Sequence, residues 1–380
     1  MRNSLLLFLF ISLGALAQTQ YVNVESQILQ SKRKIKIQLP RNYAENEDKT
    51  YPVILTLDGD YLFEILAGNV DYSSYWEDMP EAIVVGVMHE NRRQKDLQYE
   101  DVNYYPDEEG ALFFEFIGME VFPYLDENYR TAKFTIALGH DQSANFINYY
   151  LMKDNPLFRG FINLSPDFAP PMPDRIADVL SNSKQKIWYY TATGTEDVNS
   201  LREDALALDQ RLKEIQSEQL LYTFDNFKGA NHYSLVERAI PKALESIFSV
   251  YRPIDNKEFN EKVITSDLTP YQYLMNKYQT VEDLFGLNQK VRVNDFVAIA
   301  DAIEKKEAWD DYEDLGKLAN QYYPKAMMGS YYKARFYEET GSPKKAMRMY
   351  QSAFLLDEIA NLDKDTMLDR SEQIKEDFGY

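Results

Sequence analysis

The chain has 380 residues, 45% of them hydrophobic, with 61 acidic and 41 basic side chains and a formal net charge of −20. That length suits one large or two ordinary domains with a sizeable core. The acidity argues against nucleic acid and anionic membrane surfaces as partners, since both select basic patches. There is no cysteine, which removes disulfides, thiolate metal sites, a cysteine nucleophile and a lipidated anchor.

In chain order, Arg2 precedes an apolar run, Leu5–Ala17. The run is too short to span a hydrocarbon core of ~30 Å. Ala15-Leu16-Ala17 fits the A-x-A cleavage pattern. Residues 1–17 are therefore read as a signal peptide cleaved after Ala17. The mature protein is expected to be periplasmic or secreted, with no intrinsic membrane anchor.

Residues 18–255 form the first expected domain. Strand candidates are Lys34–Leu39, Val53–Leu57, Ala82–Val87, Phe134–Leu138, Gly160–Leu164, Ile187–Thr191 and Leu220–Phe224. Phe113–Asn128 reads as a helix, with Phe113, Phe114, Ile117, Val121 and Leu125 at helical spacing. Such alternation predicts an α/β fold with a mostly parallel sheet, whose sites lie at the strand C-termini.

Residues 256–380 form an expected all-α domain, for no convincing strand follows Arg252-Pro253. Between about 293 and 360 a pattern repeats every 34 residues: Ala300 with Ala334, Tyr312 with Ala346, Ala319 with Ala353. Small residues at these offsets let paired helices approach closely. The pattern resembles tetratricopeptide repeats, with Ala334, Tyr337, Gly341, Ala346, Tyr350 and Ala353 matching and Ser330 and Lys333 departing. Leu362–Phe378 reads as a capping helix. The repeats serve either as a surface for a protein partner or as a plain helical appendage.

There are three histidines: His89, His140 and His232. General-base chemistry near neutral pH most often uses this side chain. His232, in Gly229-Ala-Asn-His232, follows the last strand. Glu196 and Asp197 follow the strand before it. Gly139-His-Asp-Gln-Ser-Ala144 follows the strand Phe134–Leu138. The order Asp141, then Glu196 or Asp197, then His232 is nucleophile, acid, base, as in α/β-hydrolases. His89 with Glu90 reads as rim or surface, and Tyr72, Tyr75 and Trp76 as core or pocket lining. Neither a phosphate loop, a dinucleotide fingerprint nor a zinc motif is present, so no cofactor and no metal is expected.

Several stretches together resemble the putative esterase family of α/β-hydrolases, which includes siderophore esterases and S-formylglutathione hydrolase. They are Tyr51-Pro-Val-Ile-Leu-Thr-Leu-Asp-Gly-Asp60, Ile83-Val-Val-Gly-Val87 followed by Arg92, Phe122-Pro-Tyr-Leu-Asp-Glu-Asn-Tyr-Arg-Thr131, Asn163-Leu-Ser-Pro166 and Gly229-Ala-Asn-His232. The resemblance implies Asp141 at the nucleophile position, Glu196 or its neighbour Asp197 as acid, and His232 as base. It also implies an oxyanion hole from the backbone N–H groups of Asp60 and Gln142. The family elbow reads G-H-S-x-G-G. Here the serine is Asp141, and Ser143 and Ala144 replace the glycines that permit a tight crossing. Ser143 lies two residues past the apex and is expected to point into the helix.

Aspartate attacking an ester would give a mixed anhydride, an uphill step, with its charge opposing the developing oxyanion. Pairing with His232 would also hold that base protonated. The favoured expectation is a catalytically degenerate esterase fold acting in binding or assembly, with an ester-like ligand in the pocket and a protein partner on the repeats. One alternative is an active carboxylic-ester or other acyl hydrolase with altered chemistry. Another is an aspartate-nucleophile hydrolase of the epoxide or haloalkane type, whose elbow G-H-D-W-G-A is similar to residues 139–144.

Overall fold

The computed structural model describes residues 19–380. The expected signal peptide lies outside the described residues. Eight strands form one sheet: β1 Thr19–Ser26, β2 Ser31–Gln38, β3 Tyr51–Thr56, β4 Ile83–Val87, β5 Thr131–His140, β6 Gly160–Leu164, β7 Ile187–Glu196 and β8 Leu220–Asn231. The order is β1-β2-β4-β3-β5-β6-β7-β8. β1 and β2 pair antiparallel, as do β2 and β4, and every other pairing is parallel.

The helices of this half are α1 Phe63–Tyr75, α2 Arg93–Asp96, α3 Glu108–Phe116, α4 Phe122–Asn128, α5 Gln142–Leu151, α6 Met172–Asn182, α7 Asn199–Lys213 and α8 Ser234–Ile247. Alternation along the strands splits the core into two layers. Val53, Leu55, Val85, Ala137 and Phe161 face one side. Ile54, Val84, Ile136, Leu138 and Ile162 face the other. The result is an α/β-hydrolase-like fold.

Two local differences from the expectations have physical causes. β1 is an additional edge strand, mostly polar in sequence, with only Val24 and Ser26 buried, so it carries little apolar signal. The Phe113–Asn128 segment is helical but widens into a π-turn over Ile117–Val121, just before Pro123. Proline has no N–H to donate to the preceding turn and crowds its carbonyl, and a widened turn relieves both.

Beyond Pro253 lie α9 Asn256–Glu258, α10 Pro270–Phe285, α11 Val293–Lys306, α12 Asp311–Tyr322, α13 Met328–Glu339, α14 Pro343–Ala353 and α15 Lys364–Phe378. Ala300, Ala319, Ala334, Ala346 and Ala353 are all buried in one cluster, with Tyr312. α10 belongs to two cores. Its Leu274 and Tyr278 pack with the helices, whereas Val281 and Phe285 pack beneath the sheet. The Phe285 ring meets Phe134 at 4.8 Å, Phe248 at 5.4 Å and Trp188 at 5.7 Å between centroids. Phe134 and Trp188 are near the N-terminal ends of their strands, so this docking is remote from the strand C-termini.

Candidate active site at the strand C-termini

β5 ends at His140 and α5 begins at Gln142. The single residue between them, Asp141, has φ 62° and ψ −127°. A non-glycine residue held there is strained and must be over-determined by its surroundings. Asp141 N–H donates to Leu164 O at 3.1 Å, and Asp141 O accepts from Ala144 N and Asp167 N. Ser143 Oγ donates to His140 O at 2.9 Å and accepts from His140 N at 2.8 Å. The tight crossing survives with serine and alanine at 143 and 144 because Gly139 makes it. A Cβ on Gly139 would stand 2.5 Å from the Ser143 carbonyl carbon. Ser143 is buried, and its hydroxyl turns back onto the His140 backbone rather than along the helix.

His232 follows β8. Its Nδ1 lies 3.2 Å from Asp197 Oδ1 and 2.8 Å from Ser165 Oγ. Asp197 is 7% exposed and also accepts from Thr193 Oγ1 and Val198 N. Burial alone would raise its pKa. Hydrogen bonds from His232, Ser165, Thr193 and Val198 outweigh that and hold the carboxyl at about 2. Asp197 is thus an ionised carboxylate under the imidazole. Glu196, the other candidate acid, is exposed at the end of β7, and its side chain points to no histidine contact. The difference lies where the strand ends: Glu196 is the last residue of β7 and faces solvent, whereas Asp197, in the bend just after it, turns inward to His232.

Asp141 and His232 come together less closely. His232 Nε2 lies 4.0 Å from Asp141 Oδ1, beyond hydrogen-bond reach. The closer partner of Asp141 is Arg93, whose Nη1 lies 3.2 Å from Oδ2. Arg93 is itself clamped on buried Asp58, Nε to Oδ1 at 2.5 Å and Nη2 to Oδ2 at 3.0 Å, and donates to His140 O at 3.2 Å. Burial would raise the Asp58 pKa, yet Arg93, the nearby His89 and Ser143 hold it below the usual carboxylate range. The expected pairing of Asp141 with His232 is therefore replaced by pairing with Arg93.

The expected oxyanion-hole donors, Asp60 N–H and Gln142 N–H, lie in the turn after β3 and at the start of α5. Among the described residues neither meets a protein acceptor. The Asp60 carboxylate fixes its turn by accepting from His89 N at 2.8 Å.

His140 supports the base loop. Its Nε2 lies 2.9 Å from His232 O and its Nδ1 2.9 Å from Tyr61 OH. Burial, then the neighbouring His232, pushes its pKa down to about 4. It is therefore neutral near pH 7. The carbonyl of His232 is an acceptor, so Nε2 carries the proton and Nδ1 accepts from Tyr61. His89 is buried rather than at a rim or surface, with Nδ1 2.8 Å from Asp96 Oδ2.

Sequence reasoning gave no role to Arg93, Asp58, Ser165 or Tyr61. Asp58 and Ser165 sit inside the quoted Leu-Asp-Gly-Asp and Leu-Ser-Pro stretches, which was their only signal. Arg93 carries none, because its partners lie 35 and 48 residues away in the chain. Among the described residues there is no group of three or more potential metal ligands. No helix there is long and apolar enough to cross a membrane.

The arrangement holds an oriented imidazole, two backbone donors without a protein acceptor among the described residues and, at the apex, a carboxylate paired with a guanidinium that it shares with Asp58. The family model for putative esterases matches residues 26–234. A search of curated proteins gave no match. Among solved structures, an uncharacterised protein from Capnocytophaga ochracea is 28% identical. It covers 94% of this chain and 100% of its own, with a TM-score of 0.84. An IroE-like serine hydrolase from Shewanella oneidensis is 18% identical over 80% of this chain and 99% of its own, TM-score 0.61. The siderophore hydrolase EstB from Aspergillus nidulans is 14% identical over 65% and 97%, TM-score 0.52. Those two likenesses are of fold. The family match spans more than half of the sequence, and the chain belongs to the putative esterase family of hydrolases.

Proposed function

We propose that this chain is a secreted or periplasmic member whose nucleophilic serine is replaced by Asp141, and that it has lost ester hydrolysis and acts by binding. A small ester-like ligand occupies the hydrolase pocket, and the tetratricopeptide-like helices meet a protein partner. The observation that carries this reading is the Arg93–Asp141 pair. The apex carboxylate is tied to a guanidinium that it shares with Asp58 and stands 4.0 Å from the base. Acyl transfer would require a carboxylate oxygen to attack the ester carbonyl and expel alkoxide, leaving a mixed anhydride less stable than the ester. The negative charge beside the Asp60 and Gln142 donors also opposes the oxyanion they would stabilise.

A second reading, an active acyl hydrolase with altered chemistry, is favoured by the His232–Asp197 pair, which remains oriented for base chemistry. In the third, an Asp141 oxygen attacks a saturated carbon and the leaving group departs with its electron pair. Water, deprotonated by His232, then cleaves the resulting ester.

Hydrolysis of short p-nitrophenyl esters and of styrene oxide by the wild type and by Asp141→Ser separates the three. Degeneracy predicts an inert wild type and a gain in esterase rate of roughly a hundredfold or more for Asp141→Ser, the contribution of a positioned base. A wild type active on esters that loses activity in His232→Ala refutes it in favour of the second reading. Turnover of the epoxide favours the third.

A further inference from the structure

A cleft of about 1130 Å³ lies between the helical segment and the sheet, and neither Asp141 nor His232 lines it. Residues 45–50 of its lining lead into β3, and Pro80 and Glu81 precede β4. It therefore opens at the N-terminal edge of the parallel strands, opposite the elbow. Gly286, in the left-handed region at the end of α10, turns the chain back so that residues 287–294 form the second wall. Pockets between two packed bodies are preferred places for ligands.

The chemistry of the walls narrows the ligand. Tyr75 and Trp76 end α1 in an edge-to-face pair, centroids 5.1 Å apart at 87°. They are 59% and 60% exposed, large rings left on a surface where such rings usually find cover. Arg41, itself bonded to Asp71 at 2.6 and 2.7 Å, lies over Tyr75, which leaves Trp76 as the free platform. The three lining cations are each engaged by the walls. Lys49 pairs with Glu81. Lys290 sits 3.6 Å from the Tyr323 ring centroid. Arg292 holds Glu77 at 2.8 Å and Tyr251 O at 2.9 Å. Among the described residues each lining cation thus has a partner, Lys49 and Arg292 a carboxylate and Lys290 a ring, and the chain carries −20 overall, so an anionic ligand is disfavoured. Exposed Asn288 and Asn294, with the carboxylates of Glu45 and Glu47, make the lining too polar for an aliphatic or lipid ligand. Apolar C–H faces bordered by uncharged hydroxyls match an exposed indole bordered by amides and carboxylates.

We propose that this cleft binds a neutral oligosaccharide, stacked on Trp76 and hydrogen-bonded by the surrounding amides and carboxylates. The proposal is independent of what happens at Asp141. Trp76 is exposed, so its replacement leaves the core intact.

Calorimetric titration of the purified chain with cellohexaose, maltohexaose, chitohexaose and, separately, decalysine tests it. At least one hexasaccharide should bind. Trp76→Ala should weaken that binding by about tenfold, the worth of one stacked ring. Trp76→Phe should recover most of it, and unchanged melting temperatures should confirm that both variants fold. The proposal is overturned if no hexasaccharide binds, if binding is equal in Trp76→Ala, or if decalysine alone binds. The last outcome would assign the cleft to basic peptides through Glu45, Glu47 and Asp48.

Discussion

His140 gives a pH dependence whose sign and size follow from geometry. The ring is 2% exposed, its Nε2–H is committed to His232 O, and its Nδ1 accepts from Tyr61 OH. A second proton would have to enter at Nδ1 and break the Tyr61 bond inside a desolvated site. Moving an imidazole from 6.5 to about 4 makes its protonation cost roughly 3 kcal/mol more in the folded chain than in the unfolded one. The folded state prefers the neutral form. The contribution is thus present above the unfolded value of 6.5 and is lost as pH falls towards about 4. Between pH 7 and pH 5 the loss should be about 2 kcal/mol. Urea unfolding of wild type and His140→Gln across that range isolates it. The variant forfeits two hydrogen bonds at every pH, a constant offset, while the other titrating groups cancel. The stability advantage of wild type over the variant should therefore shrink by about 2 kcal/mol on acidification. A difference that stays flat with pH would refute the neutral, doubly bonded imidazole.

Two further outcomes follow from buried contacts. Arg93→Met leaves buried Asp58 and neighbouring Asp141 without their cation and should cost on the order of 3 kcal/mol in denaturant unfolding. Adding Asp58→Asn should recover much of that, and an Arg93→Met chain as stable as wild type would show that the clamp carries no load. Phe285→Ala removes the ring wedged among Phe134, Trp188 and Phe248 and should cost about 3–5 kcal/mol. Scanning calorimetry should also show the helical segment melting apart from the sheet, and a loss under about 1 kcal/mol would contradict the shared core.

The α/β alternation, seven of the eight strands, the elbow at 139–144 and the helical character of the last third were legible in the chain, because apolar periodicity and turn residues are local signals. The 34-residue spacing of Ala300 and Ala334 likewise placed both at buried positions on α11 and α13. β1 escaped because an edge strand with only two buried residues needs few apolar ones. Its pairing with β2, Val22 opposite Ile35, is a tertiary fact.

Chain order by itself determined that Asp141, an acid near 196–197 and His232 would meet at one end of the sheet, since parallel strands bring their C-terminal loops together. Only the tertiary structure decided between the two acids. Glu196 and Asp197 are adjacent in sequence and equal in chemistry, and the direction of each side chain as it leaves β7 selects Asp197. It also decided what pairs with Asp141. A salt bridge depends on distance in space, and Arg93, at the start of α2, brings a guanidinium to 3.2 Å while the imidazole stays at 4.0 Å. The aromatic pair Tyr75–Trp76 reads in sequence as core or lining. It lines an open cleft because the end of α1 faces residues 286–294 and Tyr322–Tyr323, more than 200 positions away in the chain, a juxtaposition that no local pattern encodes.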